Sequence, residues 1–320
     1  IRLRLLAHLS SLEVSVDGLR CVLAKRALEY AECVMPSFTH FQPAQPITFG
    51  HYLMAMEELL EDFKSLSPSV KSVVDKSPLG SGPAGGTAAP LDRPRLAQLA
   101  GFSSAAVNTL YASSSRFFAS AAASLVVALL VELSRFVDDL VAWSSPMIGY
   151  LRPPDDHVST SSIMPHKRNP VTLEVFRARI SEAVADLVAL LGIQEKIGYG
   201  YSLDLQEATR HLWRIFKIAD EGLSILADFL AKAAFDCGRA GADAERYPVT
   251  SSDAAERMAL GGTPFRAAYF KIAEAIKRGE FKPPPPGDAV RRPVLGSPHP
   301  NEVRRMAKRI LESCGSSPQA

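Results

Sequence analysis

Apolar residues recur at spacings of three and four along most of this chain, and that period predicts helices almost throughout. Leu5, Leu9, Leu12, Val16, Leu19, Leu23 and Leu28 predict a first helix over residues 1–34, ended by Pro36. Pro36, Pro43 and Pro46 forbid a continuous helix in the next stretch, and a second helix follows from about 47 to 76. A short helix is expected over 91–100, with Asp92 near its start. A long one is expected over 104–144, roughly 60 Å at about 1.5 Å rise per residue. Its middle is apolar nearly all round, so neighbouring helices must cover it on every side. Leu173, Phe176, Ile180, Val184 and Leu187 share one face of a helix over 171–196. Gly198 and Gly200 break that helix, and Asp204 is placed to cap another running to about 234.

The pattern gives five long helices and no convincing strand, so the expected fold class is all-α, a long five-helix bundle. From about Cys237 the spacing shortens. Helices over 252–259, 264–277 and 301–313 alternate with turns, and Lys282-Pro283-Pro284-Pro285-Pro286-Gly287 forms a stiff extended linker. The expected domains are residues 1–237, a central helical bundle, and residues 238–320, a small C-terminal helical domain. No internal repeat is apparent.

Composition narrows the function classes. The chain has 320 residues, 47% of them hydrophobic, with a formal net charge of +2. That is enough chain for a large core, and near-neutral charge gives no general argument for nucleic acid or membrane partners. The most apolar run, 117–131, is short for a membrane span and is followed at once by Glu132, Arg135, Asp138 and Asp139, so a buried bundle helix is expected. Cys21, Cys33, Cys237 and Cys314 are scattered without a CxxC pair, which predicts reduced thiols and neither a disulfide frame nor a zinc site. The chain starts at Ile1, already inside a helical pattern.

Three polar stretches carry candidate chemistry. The first is Ser161-Ser162-Ile163-Met164-Pro165-His166-Lys167-Arg168-Asn169-Pro170, which can offer hydroxyls, fixed positive charge and an amide to a small anion. The second is Thr39-His40-Phe41-Gln42-Pro43. The third, Pro78 to Thr87, is rich in glycine, which lets the backbone approach a ligand closely; it lacks P-loop or dinucleotide spacing, and a plain linker has the same composition. His51, His157 and His211 have no metal-ligand spacing, so no metal is expected.

Taken together these segments resemble one family. Residues 161–170 resemble the signature loop of the fumarase/aspartase superfamily. Residues 36–52, residues 78–102 with Pro-Leu-Gly-Ser-Gly and Leu-Asp-Arg-Pro-Arg-Leu, and Tyr201-Ser202-Leu203-Asp204-Leu205-Gln206-Glu207 resemble its argininosuccinate lyase branch. The resemblance covers nearly the whole chain. It implies a cytoplasmic homotetramer whose central helices join those of three other subunits, with active sites shared between subunits. It implies reversible β-elimination of argininosuccinate to arginine and fumarate, in arginine biosynthesis, without a cofactor.

Residue by residue, the resemblance makes Ser161 the base, with Ser162 its rival, and Lys167 the cation that makes a hydroxyl basic. His40 is the acid side, since imidazoles change charge near neutral pH. Glu174 pairs with His40 and orients it. Thr39 and Asn169 contact carboxylates, with Lys167, and Tyr201 and Gln206 recognise the arginine portion. Four departures stand out. Thr160 replaces the family glycine before the two serines. His166-Lys167-Arg168 is more typical of the adenylosuccinate branch. Thr209 stands where the family has a lysine, and Ser114-Ser115-Arg116 replaces Ser-Asp-Arg. The family's N-terminal domain, with its Ser-Arg-Asn-Asp-Gln segment, is expected before Ile1. The alternatives are another lyase of the superfamily, such as adenylosuccinate lyase, or an inactive crystallin-like scaffold.

Overall fold

A computed structural model describes residues 1–314. The fold is all-α: twelve α-helices among the described residues, with only short strand pairs beside them. In chain order the helices are α1 (Arg2–Glu29), α2 (Phe49–Val74), α3 (Arg93–Leu99), α4 (Thr109–Ser114), α5 (Phe117–Ser144), α6 (Val171–Glu195) and α7 (Asp204–Lys232). Then come α8 (Cys237–Arg246), α9 (Ser251–Leu260), α10 (Phe265–Lys277), α11 (Pro286–Ala289) and α12 (Pro300–Cys314). Two compact units share these elements. The first comprises Ile1–Leu19, Glu58–Asp139 and His157–Asp228; the second comprises Arg20–Glu57, Leu140–Asp156 and the chain from Phe229 onward.

The first unit is a bundle of α6 with the larger parts of α1, α2, α5 and α7, as the apolar period requires. Leu5, Leu9, Leu12, Val16 and Leu19 of α1 are fully buried, as are Leu130, Leu133 and Val137 of α5 and Phe216, Leu223 and Leu226 of α7. Each such side chain contributes about 1.5–3 kcal/mol of transfer free energy. Helices α6 and α7 approach closely at Gly222, where any Cβ would sit 1.8 Å from the Phe176 ring. Their exposed faces are tied by Arg179 to Glu221 at 2.5 Å. Helix α5 is long and apolar enough to cross a membrane by composition, but more than half of its most apolar stretch is buried within the protein, as for a core helix.

The second unit is centred on aromatic rings. Phe49 stacks on Phe235 at 3.8 Å between centroids, and Tyr30 and Trp143 meet it edge-on. Arg20 and Glu57 form a buried ion pair at 2.7 Å. Asp253 holds Arg292 through both carboxylate oxygens, at 2.9 and 3.1 Å. Burial and the neighbouring Asp243 carboxylate push the Tyr150 phenol well above its ordinary range.

Three expectations are corrected. The stretch around the three prolines is a hairpin, β1 (Val34–Thr39) paired antiparallel with β2 (Gln42–Thr48), with a register irregularity between Pro36 and Phe38. Its prolines suit an isolated two-stranded ribbon, where each strand has an unpaired side. Further two-residue strands pair as β3 (Lys76–Ser77) with β4 (Ser104–Ala105), β5 (Leu151–Arg152) with β8 (Ala234–Phe235), and β6 (Ser159–Thr160) with β7 (Arg168–Asn169).

The single helix expected over 104–144 is interrupted. Asn108 caps α4 by accepting the Tyr111 N–H at 2.8 Å, Ser115 is extended, and the Ser115 hydroxyl accepts the Phe117 N–H at 3.2 Å. Such local side-chain bonds give the backbone an alternative to helix that apolar spacing does not register. The cysteines are not free thiols: Cys21 pairs with Cys314 and Cys33 with Cys237, across sequence separations of 293 and 204 residues. Linear spacing carries no sign of such pairing, because only tertiary packing brings those Cα atoms to 6.0 and 5.2 Å.

Candidate active site

Residues 159–169 form a small hairpin. Ser159 pairs with Asn169 and Thr160 with Arg168, so Ser161 and Lys167 flank the last rung and open the seven-residue loop between them. The loop is pinned internally. The Ser161 Oγ accepts the Met164 N–H at 3.1 Å, and the Lys167 N–H reaches the Met164 carbonyl at 2.9 Å. The Ile163 N–H points at the same Oγ from 3.4 Å. Donors aimed at a hydroxyl oxygen stabilise its alkoxide, and so does a nearby ammonium. Ser162 receives no such bond among the described residues. Lys167 is exposed and has no acidic partner among them. Asn169, on β7, is half-buried.

His40 occupies a different kind of position. Thr39 pairs with Gln42, leaving His40 and Phe41 as a two-residue turn with φ of 54° and 57°. Two consecutive positive φ values define a turn normally built from Asn and Gly. For ordinary residues the left-handed region costs about 1–2 kcal/mol each. Thr39, His40 and Phe41 are all exposed at this tip, Phe41 to 94%. Glu174 sits in the first turn of α6, where a carboxylate complements the helix dipole. It lines a cavity of ≈ 470 Å³ with Asp138, Arg177 and Ser181.

Tyr201 and Gln206 meet directly, the Gln206 amide donating to the Tyr201 hydroxyl. The Ser202 hydroxyl donates to Asp204 and lowers its carboxyl below the usual range. Asp204 is the first residue of α7 and lies in its first turn. The signature hairpin precedes α6 and the Tyr201–Gln206 pair follows it. Helix α6 has 25 residues, which at about 1.5 Å each separates its two ends by roughly 37 Å.

His51, His157 and His211 have structural partners. His157 is buried, its Nδ1 2.8 Å from the Thr172 hydroxyl and its Nε2 2.9 Å from Asp228. His211 Nδ1 lies 2.6 Å from Asp186. His51 Nε2 lies 3.0 Å from the Gly296 carbonyl, and burial lowers its pKa.

One feature escaped the sequence reading. Ser114, Ser115 and Arg116 line a cavity of ≈ 490 Å³ beside α5, with Gln194 and Tyr199 on its other walls. The only signal in the sequence was the departure from Ser-Asp-Arg.

Residues 1–184 match the family model described as a lyase. The argininosuccinate lyase of Pyrobaculum calidifontis is 61% identical over 314 residues, covering 98% of this chain and 73% of that protein. The chain belongs to the argininosuccinate lyase family. The argininosuccinate lyase of Pyrobaculum neutrophilum is 59% identical over 318 residues, covering 99% of this chain and 74% of its own length. Among solved structures, an EDDS lyase in complex with formate superposes with a TM-score of 0.89 at 24% identity, over 98% of this chain and 70% of that one. A fumarate lyase:delta crystallin from Brucella melitensis gives a TM-score of 0.75 at 19% identity, covering 98% and 67%. These two likenesses concern the fold, that of the fumarase/aspartase superfamily. The adenylosuccinate-like His166-Lys167-Arg168 does not move the chain out of the argininosuccinate lyase family.

Proposed function

We propose that the chain, as a carbon–nitrogen lyase of this family, cleaves argininosuccinate to arginine and fumarate with Ser161 as base and His40 as acid. The proton to be removed sits beside a carboxylate and is barely acidic. Its loss creates a dianionic intermediate that fixed positive charge and hydrogen-bond donors must stabilise. A Ser161 alkoxide takes this proton, and Lys167 and the Met164 N–H hold the alkoxide's charge until then. Lys167, Asn169 and Thr39 bind the carboxylates of the succinyl portion. The C–N bond then breaks as His40, oriented by Glu174, delivers a proton to the departing guanidino nitrogen. Tyr201 and Gln206 hold the arginine portion.

The observation that carries this reading is the rung geometry of the 159–169 hairpin, which sets Ser161 beside Lys167 and gives the Ser161 oxygen a backbone donor. It also supports Ser161 over Ser162. The span of α6 supports the oligomer: the signature hairpin of one copy and the Tyr201–Gln206 pair of another complete each site of a homotetramer. On this reading residues 1–237 are the assembling domain and 238–320 the small C-terminal domain. The enzyme works in the cytoplasm in arginine biosynthesis.

Incubating the purified full-length protein with argininosuccinate and following fumarate by ultraviolet absorbance tests the reaction. Release of fumarate that disappears in Ser161→Ala and persists in Ser162→Ala is the expected result. Faster turnover of adenylosuccinate, or a tetramer that turns over neither substrate, overturns it.

A further inference from the structure

Phe41 stands where glycine or asparagine would build the same turn at lower cost. A bulky side chain at positive φ is a backbone outlier, and Phe41 follows His40 in that region, at 57° after 54°. The ring gains no packing from its own chain in return, being 94% exposed. A single exposed apolar side chain is ordinary on a protein surface. One held in a strained backbone beside a candidate acid is not, because strain of that kind persists where it serves a site. The use of the ring therefore lies outside its own chain.

The 159–169 hairpin has a matching feature. Two apolar side chains stand out from its loop, Ile163 at 83% exposure and the exposed Met164. Both belong to the peptide units that hold the candidate base. The Ser161 Oγ accepts the Met164 N–H at 3.1 Å, the Ile163 N–H points at it from 3.4 Å, and the Met164 carbonyl accepts the Lys167 N–H at 2.9 Å. A body seated on the 163–164 side chains therefore fixes the Ser161 oxygen and the root of Lys167 together.

The chemistry brings the two tips together. β-Elimination takes a proton from one carbon and breaks the C–N bond of its neighbour. Base and acid each have to come within about 2.6–3.2 Å of the atoms they serve on one small substrate. Phe41 adjoins the candidate acid, and Ile163 lies in the loop that the candidate base opens. Neither side chain is covered by its own chain, so a contact between them joins two copies. We infer that, with substrate bound, the Phe41 ring of one copy packs against Ile163 and Met164 of another. Phe41 is thereby a positioning residue that sets the base loop opposite the acid. The inference rests on the argininosuccinate reading of the site.

Cross-linking tests the contact. The full-length Phe41→Cys/Ile163→Cys variant, treated with a short bismaleimide in the presence of fumarate and arginine, is expected to run as cross-linked dimers and larger species on a denaturing gel. Either single variant stays a single chain. The native cysteines are paired and do not compete. In turnover, Phe41→Ala is expected to lower kcat for argininosuccinate about ten-fold with KM within about three-fold of wild type, and Phe41→Leu to restore most of the loss. Ile163→Ala loses a similar factor. The double alanine variant loses no more than about twenty-fold, because residues in contact couple, where independent effects would multiply to about a hundred-fold. Phe41→Gly melts higher than wild type in the absence of substrate and still loses kcat, a combination that a merely structural role does not produce.

A double-cysteine variant that stays a single chain, or cross-linked dimers in Phe41→Cys alone, overturn the inference. So does an unaltered kcat in Phe41→Ala, or a full product of the two losses in the double alanine variant. Cross-linking without fumarate release leaves the contact standing and removes the argininosuccinate reading. Fumarate release with neither cross-linking nor coupling does the reverse.

Discussion

Two hairpins carry the candidate base and acid, and they are built on opposite principles. The β1–β2 hairpin has strands of 6 and 7 residues and turns in only two, His40 and Phe41, both at positive φ. The 159–169 hairpin has two rungs of pairing and a seven-residue loop containing Pro165. In the first, the strand ladder forces an unfavourable backbone at the tip, and strain of that kind clusters at functional sites. In the second, the strands contribute little and the loop is organised by its own side chain, since Ser161 caps the Met164 N–H. The candidate acid is therefore positioned by its scaffold, whereas the candidate base depends on a bond that it makes itself.

That difference can be broken experimentally. Ser161→Ala removes both the proposed base and the loop's internal bond, and is expected to lower kcat about 10³-fold or more, against less than ten-fold for Ser162→Ala, in the fumarate assay. A Ser162→Ala defect as large as the Ser161→Ala one would reverse the assignment. His40→Gln leaves the β1–β2 ladder in place. It is expected to cost about 10²-fold in kcat, the lower end for a general acid, with an unchanged circular dichroism spectrum.

Next in size is a stability effect outside both hairpins. Cys33 closes onto Cys237 just before β1, so Cys33→Ala is expected to destabilise the protein by about 2–4 kcal/mol in denaturant melts. Thiol titration of the unfolded, unreduced protein should find no free cysteine, and a count of four there would remove the pairing. The smallest effect sharpens the contrast most. Phe41 is 94% exposed, so Phe41→Gly should stabilise the protein by about 1 kcal/mol by relieving its backbone. Thr160→Gly in the other hairpin has no positive φ to relieve and should destabilise by about 0.5–1 kcal/mol. Equal signs for the two substitutions would show that the hairpins do not differ in the way described.

The five long helices and their order were legible because burial repeats every 3.6 residues and writes itself into Leu5, Leu9, Leu12 and Val16, or Leu173, Phe176 and Ile180. The helix start at Asp92 follows from local capping, its side chain accepting the Arg95 N–H, whereas Asp204, expected as a cap, is the first residue inside α7. The hairpin at Pro36–Pro46 was not legible as strand. Proline excludes helix there but does not by itself announce pairing. The break at Ser115 was hidden because a cap of one residue leaves the apolar period on either side almost unchanged. Of the candidate site, the chemistry of the signature loop could be read from its residue types. The resemblance named Tyr201 and Gln206 together, while their hydrogen bond and the unpaired buried Ser114 and Arg116 atoms could be found only in three dimensions.

The sequence by itself determined the fold class, the family and the groups available for an elimination, because helical period and short reactive segments are local properties of a chain. Tertiary structure alone decided which cysteines join, that His40 sits on a strained turn, and that Ser161 and Lys167 flank the Thr160–Arg168 rung. The disulfides join residues 293 and 204 positions apart, and the two turns depend on which strand residues pair, so no apolar spacing along the chain encodes them.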